Sequence, residues 1–155
     1  QLGFEHIQKS LNNYLIINLF RILIEKEEKG ELFSKLLSFG GDSVNKVYEE
    51  DLDNLINYGV LYDTSTEYEL VKMDPSNCHK NVVTFYSNFI KDSNNSYDEL
   101  SIVTGWALSS DGIWYQHSWL YFNYDDVIIE TTEPRLLYYG TILKYTDLDN
   151  FIDNN

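Results

Sequence analysis

The fold is decided by residues 100–132, LSIVTGWALSSDGIWYQHSWLYFNYDDVIIETT. Three segments of this stretch are rich in the β-branched and aromatic side chains that favour strands, and they cover residues 100–109, 113–123 and 127–132. The Ser-Asp-Gly sequence at 110–112 is a strong hairpin turn, and Asn-Tyr-Asp-Asp at 123–126 predicts a second one. An antiparallel sheet is therefore expected. Residues 136–143, after Pro134, are expected to add a fourth strand, and residues 146–152 a short helix capped by Thr146.

A helix is predicted to begin near Cys78, the only cysteine of the chain. Upstream of it, Asp74, Ser76 and Asn77 are all capable N-caps, and Pro75 suits a first helical position. Apolar residues then recur at helical spacing: Val82, Val83, Phe85, Phe89 and Ile90. A thiol at such a terminus faces unpaired N–H groups and the positive end of the helix dipole, so its thiolate is favoured.

The first 72 residues are predicted to form a helical annex. Apolar residues at three-four spacing predict a helix from Phe4 that stops at Gly30, and its most apolar part, residues 11–24, is expected to be buried. A short helix over 31–38 is expected to close at Gly40-Gly41, and another spans 43–58. The segment from residue 55 to residue 71 resembles the last helix and small hairpin of a winged-helix unit.

Charge and composition exclude some classes of function. The chain of 155 residues has a net charge of −14 and a pI near 4.4, which disfavours binding to nucleic-acid phosphates. Such a surface suits a basic partner protein, or mimics nucleic acid toward a protein that binds it. No apolar run is long enough to cross a bilayer, so no membrane partner is expected. A single free cysteine favours the cytoplasm.

Three residues in chain order supply the groups of a thiol acyl-transfer site. Cys78 would be the nucleophile, His117 the general base that accepts its proton, and Glu130 the acid that fixes the tautomer of the imidazole. In a hairpin, the residue numbers of every two residues that face each other across the ladder add up to the same constant. A two-residue or a four-residue loop between the last two strands places His117 and Glu130 on the same face, whereas an odd loop separates them.

The same segments offer groups that could contact the substrate. Backbone N–H groups at the start of the helix, including that of Cys78, would meet the oxyanion. A side-chain donor from Asn77, Gln116 or Trp106 would assist them. Trp119 is expected in the sheet core or in the groove wall, where it could contact substrate. His79 is a rival base, but its place beside Cys78 in the same helical turn predicts that it points away.

At these residues the chain resembles the transglutaminase-like branch of the papain-like cysteine fold. The resemblance covers residues 74–140. It consists of a cysteine at a helix start, a His-x-Trp strand at 117–119 and an acid followed by threonine at Glu130-Thr131. That branch includes transglutaminases, proteases, amidases and deamidases. The resemblance implies a catalytic triad of Cys78, His117 and Glu130 that needs no cofactor.

The sequence thus predicts an α+β protein with a helical annex over residues 1–72 and a papain-like core over 73–155, in which a nucleophile helix packs on an antiparallel sheet. The predicted function is that of a cysteine-dependent hydrolase or acyltransferase acting on an amide or thioester of a protein or peptide. Two alternatives stay open. One is a zinc site built from Cys78, His79, His117 and Glu130, which lacks paired ligand spacing. The other is a non-enzymatic acidic inhibitor or decoy on the same fold.

Overall fold

The computed structural model describes residues 2–155 and has a mixed α+β architecture built on one seven-stranded sheet. Its elements in chain order are α1 (Leu2–Phe39), β1 (Ser43–Val44), α2 (Leu52–Tyr58), β2 (Val60–Tyr62), β3 (Glu67–Leu70), α3 (Cys78–Lys91), β4 (Leu100–Leu108), β5 (Ile113–Phe122), β6 (Val127–Glu130), β7 (Leu137–Ile142) and α4 (Tyr145–Asn154). The strand order is β2-β7-β4-β5-β6-β3, and β1 pairs with β5 outside this path.

The centre of the sheet is the predicted antiparallel meander. β4 and β5 pair from Leu100↔Phe122 to Leu108↔Trp114 around the 110–112 turn, where Gly112 has a φ of +83°. β5 and β6 pair with Phe122 opposite Val127, which is the register of a four-residue loop. β7 pairs antiparallel with β4 on the other side. The four strands predicted after residue 100 are confirmed, and so is their order along the chain.

The segment from residue 43 to residue 71 differs from the prediction. The expected helix over 43–58 is wrong, because residues 43–44 form β1 parallel to β5 and only residues 52–58 are helical. The winged-helix hairpin is also wrong, because β2 pairs with β7 and β3 pairs parallel with β6, at opposite ends of the sheet. Backbone pairing with distant strands overrides a local helical pattern here. The annex predicted over residues 1–72 therefore contributes three strands to the sheet.

Side chains from the sheet pack in layers on its two faces. On one face, Trp106, Leu108 and Trp114 pack against α1 and α2, and Ile102 and Leu120 pack against α3. The opposite face carries a separate apolar cluster that includes Val103, Ala107, Trp119, Ile128 and Tyr138. The side chains of successive residues in each strand project to opposite faces of the sheet, as the two-residue period of a strand requires. His117 shares its face with Trp119.

Helix α1 is longer and more exposed than predicted. It runs through Gly30, where a predicted stop is wrong because the neighbouring residues are strong helix formers. It ends, as expected, at Gly40 and Gly41, whose φ values of +152° and +82° are open to glycine. Leu32 and Leu36 are fully buried, but residues 11–24 are not, which corrects the expectation of a buried helix. Within residues 2–155, no helix combines the length and apolarity needed to span a membrane.

The starts of α3 and α4 also differ in detail from the prediction. Asn77 occupies the N-cap position of α3, but its side chain makes no capping hydrogen bond, and Pro75 lies outside the helix. At α4 the cap is Lys144 and not Thr146, since the helix already begins at Tyr145. Cys78 is nevertheless the first helical residue of α3, as the sequence indicated.

Close packing of strands at Gly140 is expected to make alanine strongly destabilising there. A Cβ at this position would lie 2.6 Å from the Thr104 carbonyl oxygen and 2.7 Å from the Trp119 ring. We expect Gly140→Ala to lower the free energy of unfolding by about 3 kcal/mol, because the strand backbone cannot move aside. Gly30→Ala in α1 is the matched control. Nothing lies within 4 Å of its added Cβ, so we expect a gain of up to about 1 kcal/mol. Urea unfolding measures both, and a loss at both positions or at neither contradicts this packing.

Candidate active site

The candidate nucleophile lies at a gap along one edge of β5. On that side β6 pairs with β5 only at Leu120–Phe122 and β1 only at Ile113–Trp114, so residues 115–119 have no ladder partner there among residues 2–155. The N-terminus of α3 fills this gap. Residues 76–79 line a cavity of about 300 Å³ together with Asn45, Val47, Tyr115 and Gln116. Cys78, which is half-buried, therefore lies beside the middle of β5.

His117 and Glu130 form a buried pair on the face of β5 and β6 that also carries Trp119. His117 Nε2 lies 2.7 Å from Glu130 Oε1, and the two side chains are 2% and 0% exposed. Because Nε2 is engaged by the carboxylate, Nδ1 is the ring nitrogen left for the thiol of Cys78. The register extends to Glu130 opposite Trp119 and diagonal to His117, which is the same-face arrangement expected for a four-residue loop.

Glu130 is held in place by more than its histidine. Its Oε2 accepts hydrogen bonds from the backbone N–H of Thr132 at 3.0 Å and from the Thr132 hydroxyl at 3.1 Å. Its Oε1 also accepts a hydrogen bond from the Tyr138 hydroxyl at 2.8 Å. A buried carboxylate needs such partners to remain ionised. These partners fix the acid although glutamate has a longer side chain than aspartate.

The electrostatics of Cys78, His117 and Glu130 favour separated charges. Burial raises the pKa of the Cys78 thiol, but the neighbouring His117 and His79 rings outweigh burial and lower the pKa to about 5. Burial lowers the pKa of His117, yet the neighbouring Cys78 thiol and the hydrogen bond to Glu130 prevail and raise it. For Glu130, burial raises the pKa, and bonds to His117 and Thr132 bring it below its ordinary value. The favoured state near neutral pH is thiolate, imidazolium and carboxylate.

His79 acts on the thiol, which corrects the prediction that it points away from Cys78. Its ring is one of the two that lower the pKa of Cys78. His79 Nδ1 lies 2.6 Å from the Ser118 hydroxyl, which in turn donates to Thr104 at 3.2 Å, and the ring packs edge-on against Phe151. Ser118 projects from the face of β5 opposite to His117. The two histidines are therefore held on opposite faces of β5.

Removal of His79 is expected to weaken, but not to remove, the activation of the thiol. We expect His79→Ala to raise the pKa of Cys78 above about 5, toward the ordinary thiol value of about 8.5, because only His117 then remains beside it. The rate of alkylation by iodoacetamide against pH measures this shift. Lys80→Ala, which removes an exposed cation from the next residue, is the control and should leave the profile unchanged. Equal profiles for His79→Ala and the native chain would show that His79 has no part in activation.

The two tryptophans proposed as substrate contacts are both buried. This corrects the substrate-contact role for both, whereas the sheet core is one of the two places expected for Trp119. Trp106 is 0% exposed, and its indole N–H donates to Glu49 at 3.0 Å on the face opposite to His117. Trp119 is also 0% exposed and lies nearly parallel to the His117 ring at a centroid distance of 6.1 Å. Trp119 also contacts the Tyr138 ring. Trp119 therefore packs beside the His117 ring in the core and is not placed to contact the substrate.

Gln116 and Asn77 both line the cavity that contains Cys78. The Gln116 amide donates to the Tyr48 carbonyl oxygen at 2.6 Å and to Glu49 Oε1 at 3.5 Å, so its N–H groups are already engaged. Asn77 is exposed and free of any capping bond, which leaves its amide available at the cavity. Of the two predicted side-chain donors, Asn77 has the better position. Gln116 and His79 also line a larger cavity of about 610 Å³.

Three residues that hold the site side chains in place were not identified from the sequence. Thr132 and Tyr138 donate hydrogen bonds to Glu130, and Ser118 is hydrogen-bonded to His79. Thr132 had a signal, because a threonine two residues after an acid often bonds back to it. Tyr138 had none, since its contact with Glu130 depends on β7 pairing with β4. Among residues 2–155, no three His, Cys, Asp or Glu side chains are grouped as a metal site would require.

Comparison with known proteins finds no relative of this chain. No protein family, no curated protein and no solved structure matches the chain.

Proposed function

We propose that this protein is a cysteine-dependent hydrolase or acyltransferase that acts on an amide or thioester bond of a protein or peptide. In this proposal α3 and the sheet form a papain-like core of the transglutaminase-like type. The observation that carries the proposal is the position of His117. One ring nitrogen is bonded to buried Glu130, and the other is left for a thiol whose pKa is lowered to about 5.

The proposed reaction begins with attack by the Cys78 thiolate. Its sulfur forms a bond to the substrate carbonyl carbon, and the oxyanion is met by N–H groups at the start of α3, which have no acceptor within the helix. The bond to the leaving nitrogen or sulfur then breaks. The His117 imidazolium donates its proton to that leaving atom, and an acyl thioester remains on Cys78.

The second half of the reaction releases the acyl group. Water or an amine attacks the thioester carbon and loses a proton to His117, and the Cys78 thiolate leaves. Glu130 accepts a hydrogen bond from Nε2 throughout, so the Nδ1 side of the ring exchanges the proton. Tyr138 and Thr132 orient the carboxylate and do not touch the reacting atoms.

An acylating probe tests the proposal without knowledge of the substrate. We expect p-nitrophenyl acetate to give a burst of about one p-nitrophenolate per chain, with the acetyl group found on Cys78 by mass spectrometry of the intact chain and its peptides. The urea-unfolded chain supplies the rate of an ordinary cysteine. Acetylation no faster in the folded protein than in the unfolded one would contradict the proposal and favour an acidic binding protein with a silent site.

A further inference from the structure

The outer part of α1 exposes an apolar surface that nothing else among residues 3–155 covers. Between residues 4 and 24, twelve large apolar side chains are each more than half exposed. They are Phe4, Ile7, Leu11, Tyr14, Leu15, Ile16, Ile17, Leu19, Phe20, Ile22, Leu23 and Ile24. At roughly 100 Å² each they offer on the order of 1,000 Å² per chain, more than the about 800 Å² per partner of a standard stable interface.

This surface extends around the whole helix and is not confined to one stripe. Leu15, Ile16 and Ile17 are consecutive, and successive residues of an α-helix are turned by about 100°. A single neighbouring helix covers one side only. A helix that is apolar all round is normally surrounded by several others. The outer α1 surface therefore fits the interior of a helical bundle better than a two-helix contact.

We propose that the outer part of α1 assembles with the same helix of other copies of this chain into a bundle of at least three helices. Copies of the chain supply partners of matched length and matched apolar surface. The asparagines at 12, 13 and 18 can pair with one another across the bundle, as buried asparagines do in coiled coils. The same amides oppose burial in lipid, where they would lack partners.

Charge is compatible with assembly through α1. Between residues 6 and 24 the only charged side chains are Lys9 and Arg21, while the chain as a whole carries −14. The acidic groups are thus concentrated outside the proposed interface. When neighbouring helices of a four-helix bundle run antiparallel, the acidic bodies of neighbouring copies lie at opposite ends, separated by roughly 30 Å of helix. That is several times the Debye length of about 8 Å, so their repulsion is screened.

Sedimentation of the full chain tests this proposal. We expect the native protein to sediment with the mass of at least three 18.2 kDa chains at micromolar concentration. The double substitution Leu15→Glu with Leu19→Lys should give a monomer. It removes two apolar side chains while adding a favourable helical pair and no net charge. The control double substitution, Tyr58→Glu with Tyr145→Lys, removes two exposed apolar side chains outside α1 and should keep the oligomer.

A monomeric or dimeric native chain would overturn the proposal. So would an oligomer that persists in the Leu15→Glu, Leu19→Lys variant. Flotation with phosphatidylcholine vesicles tests lipid as the alternative partner of this helix. A native monomer that floats with the vesicles would show that the outer part of α1 binds lipid and not other copies of the chain. The alkylation rate of Cys78 should be the same in all variants, since residues 15 and 19 lie far from the buried end of α1.

Discussion

Replacement of Cys78 by alanine is expected to abolish acylation by p-nitrophenyl acetate and any turnover of a peptide substrate. The expected loss is at least about a thousandfold, because no other thiol exists in the chain and the remaining groups can only position water. The residue is half-buried and lies at a helix start, so we expect the free energy of unfolding to change by no more than about 1 kcal/mol.

The combination of lost activity and retained stability is the informative result for Cys78. Urea unfolding of the alanine variant supplies the stability, and burst amplitude supplies the activity. Asn77→Ala, next to the nucleophile, is the matched control. It should retain the burst amplitude and affect only the rate, as expected for an auxiliary donor at the cavity. An unchanged burst in Cys78→Ala would show that another residue is acylated.

Replacement of Glu130 by alanine is expected to cause the largest loss of stability among the site residues. Glu130 is 0% exposed and accepts hydrogen bonds from Thr132, Tyr138 and His117. Its removal leaves these buried donors without an acceptor and also creates a cavity, which should cost about 3–5 kcal/mol. Glu133→Gln, whose carboxylate is exposed in a 3.6 Å pair with Arg135, is the control and should unfold like the native chain.

Glutamine at position 130 separates the chemical role from the structural one. A glutamine has one acceptor oxygen, so its NH₂ group must face either the Thr132 N–H or the ring of His117. In the second orientation the imidazole must carry its proton on Nδ1, where it can no longer accept one from the thiol. We expect activity to fall by a factor on the order of 10² to 10⁴ with a smaller loss of stability than alanine causes. Full activity in Glu130→Gln would mean that the acid is only structural.

The pair also predicts a pH dependence of stability. The pKa of Glu130 is lowered, so its contribution is present above the unfolded value of about 4.3 and is lost as pH falls through the folded pKa. The pKa of His117 is raised, so its contribution is present below the unfolded value of about 6.5 and is lost as pH rises through the folded pKa. The lowered pKa of Cys78 acts in the opposite direction to His117 between about pH 5 and pH 8.5, so the measurement is made in Cys78→Ala, where no thiol titrates. Urea unfolding of that variant from pH 2 to pH 9 should show a loss at both ends, and adding Glu130→Gln should reduce it.

The sheet and the three candidate site residues could be predicted because their signals are local. The turn at 110–112 and the alternating strands indicated β4 and β5. The sequence allowed His117 and Glu130 to share a face without requiring it, and the four-residue loop of the structure puts them there. The course of residues 43–71 could not be predicted, since β1, β2 and β3 are defined by pairing with residues 60 to 80 positions away. The role of His79 could not be predicted for the same reason. It depends on a contact with Ser118, and the gap beside β5 that allows this contact exists only in the assembled sheet.

The proposed activity requires a thiolate at Cys78 below neutral pH, and alkylation by iodoacetamide as a function of pH measures that thiolate most directly. The folded protein should show a rate that rises through an inflection near pH 5 and is constant from pH 6 to pH 7, whereas the urea-unfolded chain should follow an ordinary thiol with an inflection near pH 8.5. A folded profile that coincides with the unfolded one would contradict the catalytic assignment.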